Sequence, residues 1–415
     1  MERENSMITE RMTAAFQKAE GGLFSSVEKA DVGDAVEKMR ERGVSLMSWA
    51  DPFYPDPSMP KHVAEAMIES INSGFASHYT TPIGNGELKK EIAKKLKRVN
   101  GLEVIPDRNI IITPGSDAGL FFAMVPFINS GDEVMIIDPS YPNNYQNTEI
   151  LGGVPVRIPV YAENEYQFDI KDFEERLTPK TKMIVLTNPN NPTTVSYRRE
   201  KLEQMAEFAI KNDLIVVVDQ AFEEPVFDDI EMVTVAALPG MWERTVTVFS
   251  ISKGMGLSGL RVGYIVADDV IMDKMYGTAV SVIGATSTCA QMGAIAALKD
   301  SSFMTGYFEA FDRRRKMVYK YLNDIPGVSM KLSESGFLSW VDVSALGTES
   351  EVMSYLGEHA QVSINSGLPY GEQGKGHIRI VHGVFASDEE MEAAILRMRE
   401  ALLKLSKEKG ILKEE

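Results

Sequence analysis

Short apolar runs rich in β-branched residues recur along the middle of the chain, separated by longer stretches of mixed polarity. They stand at 110–113, 133–137, 154–160, 183–187, 214–218, 246–249 and 262–266. Continuous apolar runs of this length predict strands buried on both faces, unlike the alternating strands of a half-solvated sheet. Between them, stretches such as 120–128 and 199–212 carry helical periodicity. Strands alternating with helices predict an α/β chain, with a large domain whose mostly parallel seven-stranded sheet is flanked by helices. In sheets of this kind ligands bind beyond the carboxyl ends of the strands.

The flanks read differently. After residue 267 comes a helix-rich region, 269–322, then strands at 328–332 and 336–341, a helix at 351–359, a strand at 376–381 and an amphipathic helix at 387–407. This predicts a smaller α+β domain. Residues 8–42 carry helical periodicity and many charges, as in a peripheral arm, and Ser45-Leu-Met-Ser-Trp-Ala-Asp-Pro-Phe-Tyr-Pro-Asp-Pro is an extended, proline-punctuated segment. The expected division is an arm and part of the small domain over 1–75, the large domain over 76–300, and the rest of the small domain over 301–415. A helix is expected over 87–99, with its lysines spread over a solvated face.

Composition narrows the function classes. A net charge of -17 over 415 residues disfavours nucleic acid or an anionic membrane surface as partner. The single cysteine, Cys289, sits among small residues as a packed thiol would; it rules out an intramolecular disulfide and fits a reducing, cytoplasmic setting. No run is apolar and long enough for a membrane span, and the five histidines lack metal-ligand spacing, so no metal is expected.

The chemistry concentrates in Thr245-Val-Thr-Val-Phe-Ser-Ile-Ser-Lys-Gly-Met-Gly-Leu-Ser-Gly-Leu-Arg-Val-Gly-Tyr264. Lys253 falls in a small-residue loop between two strands, with Ser250 and Ser252 before it and Arg261 after. Hydroxyls and a guanidinium can hold a phosphate while the amine bonds a carbonyl carbon. Gly254-x-Gly256-x-x-Gly259 also matches a dinucleotide-binding pattern, but that pattern must open a helix, and these glycines lead into another strand.

Ser250-x-Ser252-Lys253 followed by Gly259-x-Arg261-x-Gly263-Tyr264 resembles the lysine motif of the class I/II aminotransferases, fold-type-I enzymes that use pyridoxal 5'-phosphate. Further motifs follow in the family's order. Thr113-Pro-Gly115-Ser116-Asp117 is a strand end turning into a helix, whose first amides can bind phosphate. Asp138-Pro-Ser-Tyr141 resembles the turn whose tyrosine stacks on the pyridine ring. Asn188-Pro-Asn-Asn191-Pro-Thr-Thr194 resembles a rigid turn whose asparagine donates to the ring's phenolate oxygen and lies beside the substrate; Thr194 replaces the family's glycine. Strand 214–218 ends on Asp219, a carboxylate that burial obliges to pair, in relatives with the pyridinium nitrogen.

The resemblance implies a transaminase in which a Lys253 Schiff base moves an amino group between an L-amino acid and a 2-oxo acid. It also implies that Arg379, in His377-Ile-Arg379, grips the substrate carboxylate, and that Ala50 lies at the substrate entrance where relatives have glycine. Tyr79 would reach the cofactor phosphate of a neighbouring subunit, which implies a homodimer. One departure stands out: Asp219-Gln-Ala-Phe222 places phenylalanine where the family has a tyrosine bonded to the cofactor oxygen. This motivates an alternative, a lyase, decarboxylase or oxidase of amino acids on the same scaffold. Asp117, together with Asp51 in the entrance segment, would repel dicarboxylic side chains if it faces the pocket; it would face away if it merely complements the helix dipole.

Overall fold

The computed structural model describes residues 11–17, 38–54, 58–81 and 83–412. The expected arm over 8–42 therefore lies largely outside the described residues, which hold only one helical turn of it at Ala14–Gln17 and the end of another before Gly43.

A two-residue strand, β1 (Ser45–Leu46), precedes helices α1 (Lys61–Asn72) and α2 (Gly86–Lys95). The large sheet comprises β2 (Ile110–Thr113), β3 (Glu133–Asp138), β4 (Val154–Pro159), β5 (Thr181–Thr187), β6 (Ile215–Asp219), β7 (Thr245–Ser250) and β8 (Gly263–Val266). Their lateral order is β2-β8-β7-β6-β5-β3-β4. The expected seven strands are all present. β3 through β7 pair in parallel, while β8 runs antiparallel to both β7 and β2. That exception follows from the β7–β8 connection, which contains no crossover α-helix of the kind that returns a chain to a parallel neighbour.

Burial on both faces explains the continuous apolar runs. Met135, Ile137, Ile184 and Leu186 enter one core, and Val134, Ile136, Met183 and Val185 enter the core on the opposite face. Helix α3 (Ser116–Met124) follows β2, α4 (Pro142–Ile150) follows β3, and α5 (Arg199–Lys211) lies between β5 and β6. Thr113, Asp138, Thr187 and Asp219 consequently stand at strand carboxyl ends.

Helices α6 (Asp269–Val282) and α7 (Thr288–Lys299) complete this layer, and α8 (Met304–Leu322) leads into the second sheet. That sheet comprises β9 (Ser329–Met330), β10 (Leu338–Asp342), β12 (Asn365–Ser366) and β13 (His377–Val381), in the antiparallel order β12-β13-β10-β9. Helices α9 (Glu349–Ala360) and α10 (Asp388–Glu408) pack around it. β1 pairs in parallel with β11 (Val362–Ser363), and Met47 enters this smaller core, so both ends of the chain build it.

The reading of 87–99 needs correction. The α-helix ends at Lys95 and continues as a wider π turn through Leu96–Asn100. Its lysines are not all solvated: Lys89 is buried 2.7 Å from Asp107, and Lys95 is buried against Glu223 and lies 4.8 Å from the Phe249 ring centroid. Leu88, Ile92 and Leu96 form the buried stripe, which carries the neighbouring lysines inward, and each ammonium then meets a carboxylate.

Candidate active site

A cavity of about 930 Å³ opens beyond the carboxyl ends of the large sheet and reaches the second sheet. Lys253 enters it from the loop after β7. Its Nζ donates to the Ala50 carbonyl at 2.7 Å and lies 5.7 Å from the Phe222 ring centroid. Burial pulls the ammonium pKa down to about 8, Asp117 and Asp51 oppose that shift, and Arg379 and Arg261 add to it. A much larger share of neutral amine is therefore present near neutral pH than for a solvated lysine.

Asp219 ends β6 on the cavity wall, where its Oδ1 accepts the Ala221 amide at 3.2 Å. Burial pushes its carboxyl pKa up to about 7. Among the described residues no cation forms an ion pair with it. Arg379 presents the opposite situation: a buried guanidinium that no described carboxylate neutralises. Its Nη1 donates to Asn191 Oδ1 at 3.0 Å, and Nη2 donates to Asn365 Oδ1 at 2.7 Å and to the Ser48 carbonyl at 3.3 Å, while Nε is buried without a partner. Because a guanidinium only donates, it fixes the Asn191 amide with oxygen toward Arg379 and leaves its NH₂ for the cavity.

At the other end Gly115 precedes α3 with φ +85°. A Cβ there would lie 2.3 Å from Arg261 Nη2, so only glycine lets the guanidinium cross the start of the helix. Arg261 itself has φ +51° and sits before β8, which begins at Gly263. Ser116, Asp117 and Ser252 line this end. Asp117 does not face away: it accepts from the Tyr141 hydroxyl at 2.9 Å and Asn143 Nδ2 at 3.2 Å, and lies 3.8 Å from Arg261.

Three expected positions are placed elsewhere. Ser250 does not line the cavity, and its hydroxyl accepts the Ser252 amide at 3.1 Å. Tyr79 is 96% exposed and stands outside it. Asp51 also stays out of the wall, held by the Ser258 hydroxyl. Conversely, Asn365 and the Ser48 carbonyl, which orient Arg379, carry no signal in the sequence, since an asparagine at a strand start is ordinary.

Pyridoxal 5'-phosphate fits the groups at the sheet end of the cavity. Its phosphate suits the first-turn amides of α3 and Arg261, its cationic ring nitrogen suits Asp219, and its aldehyde suits the neutral amine of Lys253. This complementarity, set beyond the strand ends of a mostly parallel sheet, defines the class as a fold-type-I pyridoxal-phosphate enzyme. The family described as aminotransferase class I and II matches residues 45–398, and the chain belongs to it. Over 352 residues it is 32% identical to the aspartate aminotransferase of Pyrococcus abyssi, covering 84% of this chain and 90% of that one. Over the same length and coverage it is 31% identical to aromatic-amino-acid aminotransferase 2 of Thermococcus litoralis. The crystal structure of the Pyrococcus horikoshii aromatic aminotransferase superposes with a TM-score of 0.83 at 29% identity, covering 91% of this chain and 100% of that one. The protein is thus a pyridoxal-phosphate-dependent aminotransferase acting on amino acids and 2-oxo acids.

Phe222 sits on the cavity wall, 5% exposed, its ring 5.6 Å from Phe337 and close over Gly336. Adding a hydroxyl with Phe222→Tyr supplies a donor beside the bound cofactor. The expected result is a displaced pKa in the absorbance titration of the holoenzyme, about one unit per 1.4 kcal/mol of differential stabilisation. An unchanged titration would show that the cofactor oxygen is satisfied by other groups.

Proposed function

We propose that Lys253 carries the cofactor and serves as the general base and acid of amino transfer. The observation that carries this reading is the convergence, in one cavity, of a lysine with a pKa near 8, a buried carboxyl without a cation and a buried guanidinium without a carboxylate. When bound, pyridoxal 5'-phosphate withdraws electrons from the substrate's α-carbon. Arg379 would hold the α-carboxylate and thereby present the α-hydrogen to Lys253 Nζ, which would serve as the base that takes that proton and the acid that gives it back. Asp219 would keep the ring nitrogen protonated, and Asn191 would donate its amide to the ring oxygen.

Tyr141 would supply an aromatic face to the ring. The amides after Gly115, with Ser116, Ser252 and Arg261, would hold the phosphate; Ser250 braces Ser252 behind them. Asp117 anchors the Tyr141 hydroxyl and balances Arg261. Ala50, whose carbonyl is 2.7 Å from Lys253 Nζ, closes the entrance side. Tyr79, exposed on this chain, fits a contribution to the phosphate site of a partner subunit in a homodimer. The division of the chain at about 75 and 300, and a cytoplasmic location, belong to the same reading. Among the described residues no helix is long and apolar enough to cross a membrane.

The two relatives are named for different donors, aspartate and aromatic amino acids, so membership alone does not select one. Incubating the loaded enzyme with amino acids and a panel of 2-oxo acids is expected to yield new amino acid in step with the donor consumed. Release of ammonia without an acceptor would favour the lyase or oxidase alternative that Phe222 motivates.

A further inference from the structure

The cavity extends past Arg379 along its second-sheet end, where the lining mixes apolar side chains with serines and carries no further charge among the described residues. Helix α9 presents Ser350, Met353, Ser354 and Gly357 to it, at spacings of three and four residues that define one helix face. The acidic residues at the start of α9 are turned to other tasks: Glu349 accepts the Gly376 amide at 2.9 Å, and Glu351 accepts the Thr348 amide at 2.8 Å. Opposite α9, β1 contributes Leu46 and the segment after β11 contributes Ile364, 7% and 5% exposed, with Val44 beside them. At the rim Trp49 and Leu368 are 40% and 51% exposed.

Charge accounting points the same way. The cations on the cavity wall are Lys253, Arg261 and Arg379, and the carboxylates are Asp117 and Asp219. Each already has a task at the cofactor or at the α-carboxylate. Among the described residues no cation is left on the wall for a second carboxylate, and none of the carboxylates lies on the α9 side to receive a side-chain ammonium.

We infer that the side chain of the amino-acid substrate is large, uncharged and apolar, aliphatic or aromatic, and that it occupies the chamber between α9 and β1. This rests on the aminotransferase reading and on Arg379 as the carboxylate grip. A dicarboxylic donor would set its distal carboxylate against Leu46, Met353 and Ile364 with no counter-charge on the wall among the described residues, whereas an apolar side chain gains contact with the same three.

The experiment mixes pyridoxal-phosphate-loaded enzyme with leucine, phenylalanine, aspartate, glutamate or lysine and follows the cofactor absorbance through the first half-reaction. The expected kcat/KM for leucine and phenylalanine exceeds that for aspartate and glutamate on the order of 10²-fold. Met353→Arg places a cation on the chamber wall and should narrow that ratio by about tenfold or more. Ser354→Arg, at an exposed position of the same face, repeats the test without disturbing a packed side chain. Preference for aspartate, glutamate or lysine by the unmodified enzyme overturns the inference, as does an unchanged ratio in both variants. Absence of any half-reaction with all five donors would instead contradict the aminotransferase reading, so the two failures are distinguishable.

Discussion

Lys253→Ala is expected to lose amino transfer by at least the order of 10²–10⁴-fold that a positioned proton shuttle contributes. The further loss of the covalent anchor adds to this. The loss follows from the placement of Nζ, which reaches the Ala50 carbonyl at 2.7 Å on the cavity wall shared with Asp219 and Arg379. Lys253→Arg is expected to fail nearly as completely, because a guanidinium keeps its charge and offers no neutral amine. Since burial lowers the Lys253 pKa to about 8, capture of pyridoxal 5'-phosphate by the apo-protein should quicken about tenfold per pH unit below that value and level off above it. Borohydride reduction followed by peptide mapping should leave a pyridoxyl group on Lys253. A label on another lysine, or wild-type turnover by the alanine variant, would remove Lys253 from the mechanism.

Fold and site were legible in the sequence to different depths for physical reasons. Strands buried on both faces need continuous apolar side chains, so the seven runs from Ile110 to Val266 announce the sheet in the sequence itself. Asp219 at the end of β6 and Asn191 in the turn after β5 were legible as candidate site residues because the topology gathers strand ends. Side-chain direction was not legible. Nothing in the sequence distinguishes an Asp117 that complements a helix from one that turns to the Tyr141 hydroxyl, or a Ser250 on the wall from one that braces its neighbour. Lys89 and Lys95 looked solvated because charge runs usually are, and only tertiary contact brings Asp107 and Glu223 to them. Thr194 illustrates another limit: the expected glycine is missing, yet the backbone keeps φ +65°, held by bonds from its amide to Asn190 and from Ser335 to its carbonyl. The meeting of Leu46 with Met353 and Ile364 on one wall was not legible, because Leu46 lies about three hundred positions from the other two.

Asp219→Asn separates the electrostatic part of the site from its covalent part, and it has two readouts of opposite sign. In the apo-protein Asp219 is a carboxyl raised from 3.8 to about 7 by burial. The folded state therefore holds a proton that the unfolded chain has already released, so this group's contribution to stability is full at low pH. It is lost, at roughly 1.4 kcal/mol per pH unit, as pH rises toward about 7. Asparagine has no such proton, so apo wild type should lose thermal stability relative to the apo variant between pH 5 and pH 7, as read by paired melting curves at those two values. Adding pyridoxal 5'-phosphate should reverse the order. The ring nitrogen gives the ionised carboxylate its missing counter-charge, whereas the variant leaves that cation buried and unpaired, at a cost of about 2–5 kcal/mol in cofactor affinity. Turnover should fall on the order of 10²–10³-fold, the loss typical of removing one preorganised electrostatic partner. Asp219→Glu keeps the charge and should restore part of the affinity. A variant that binds the cofactor and turns over like wild type would mean that the buried carboxylate serves only the fold, and the pH-dependent stability difference would then persist unchanged when the cofactor is bound.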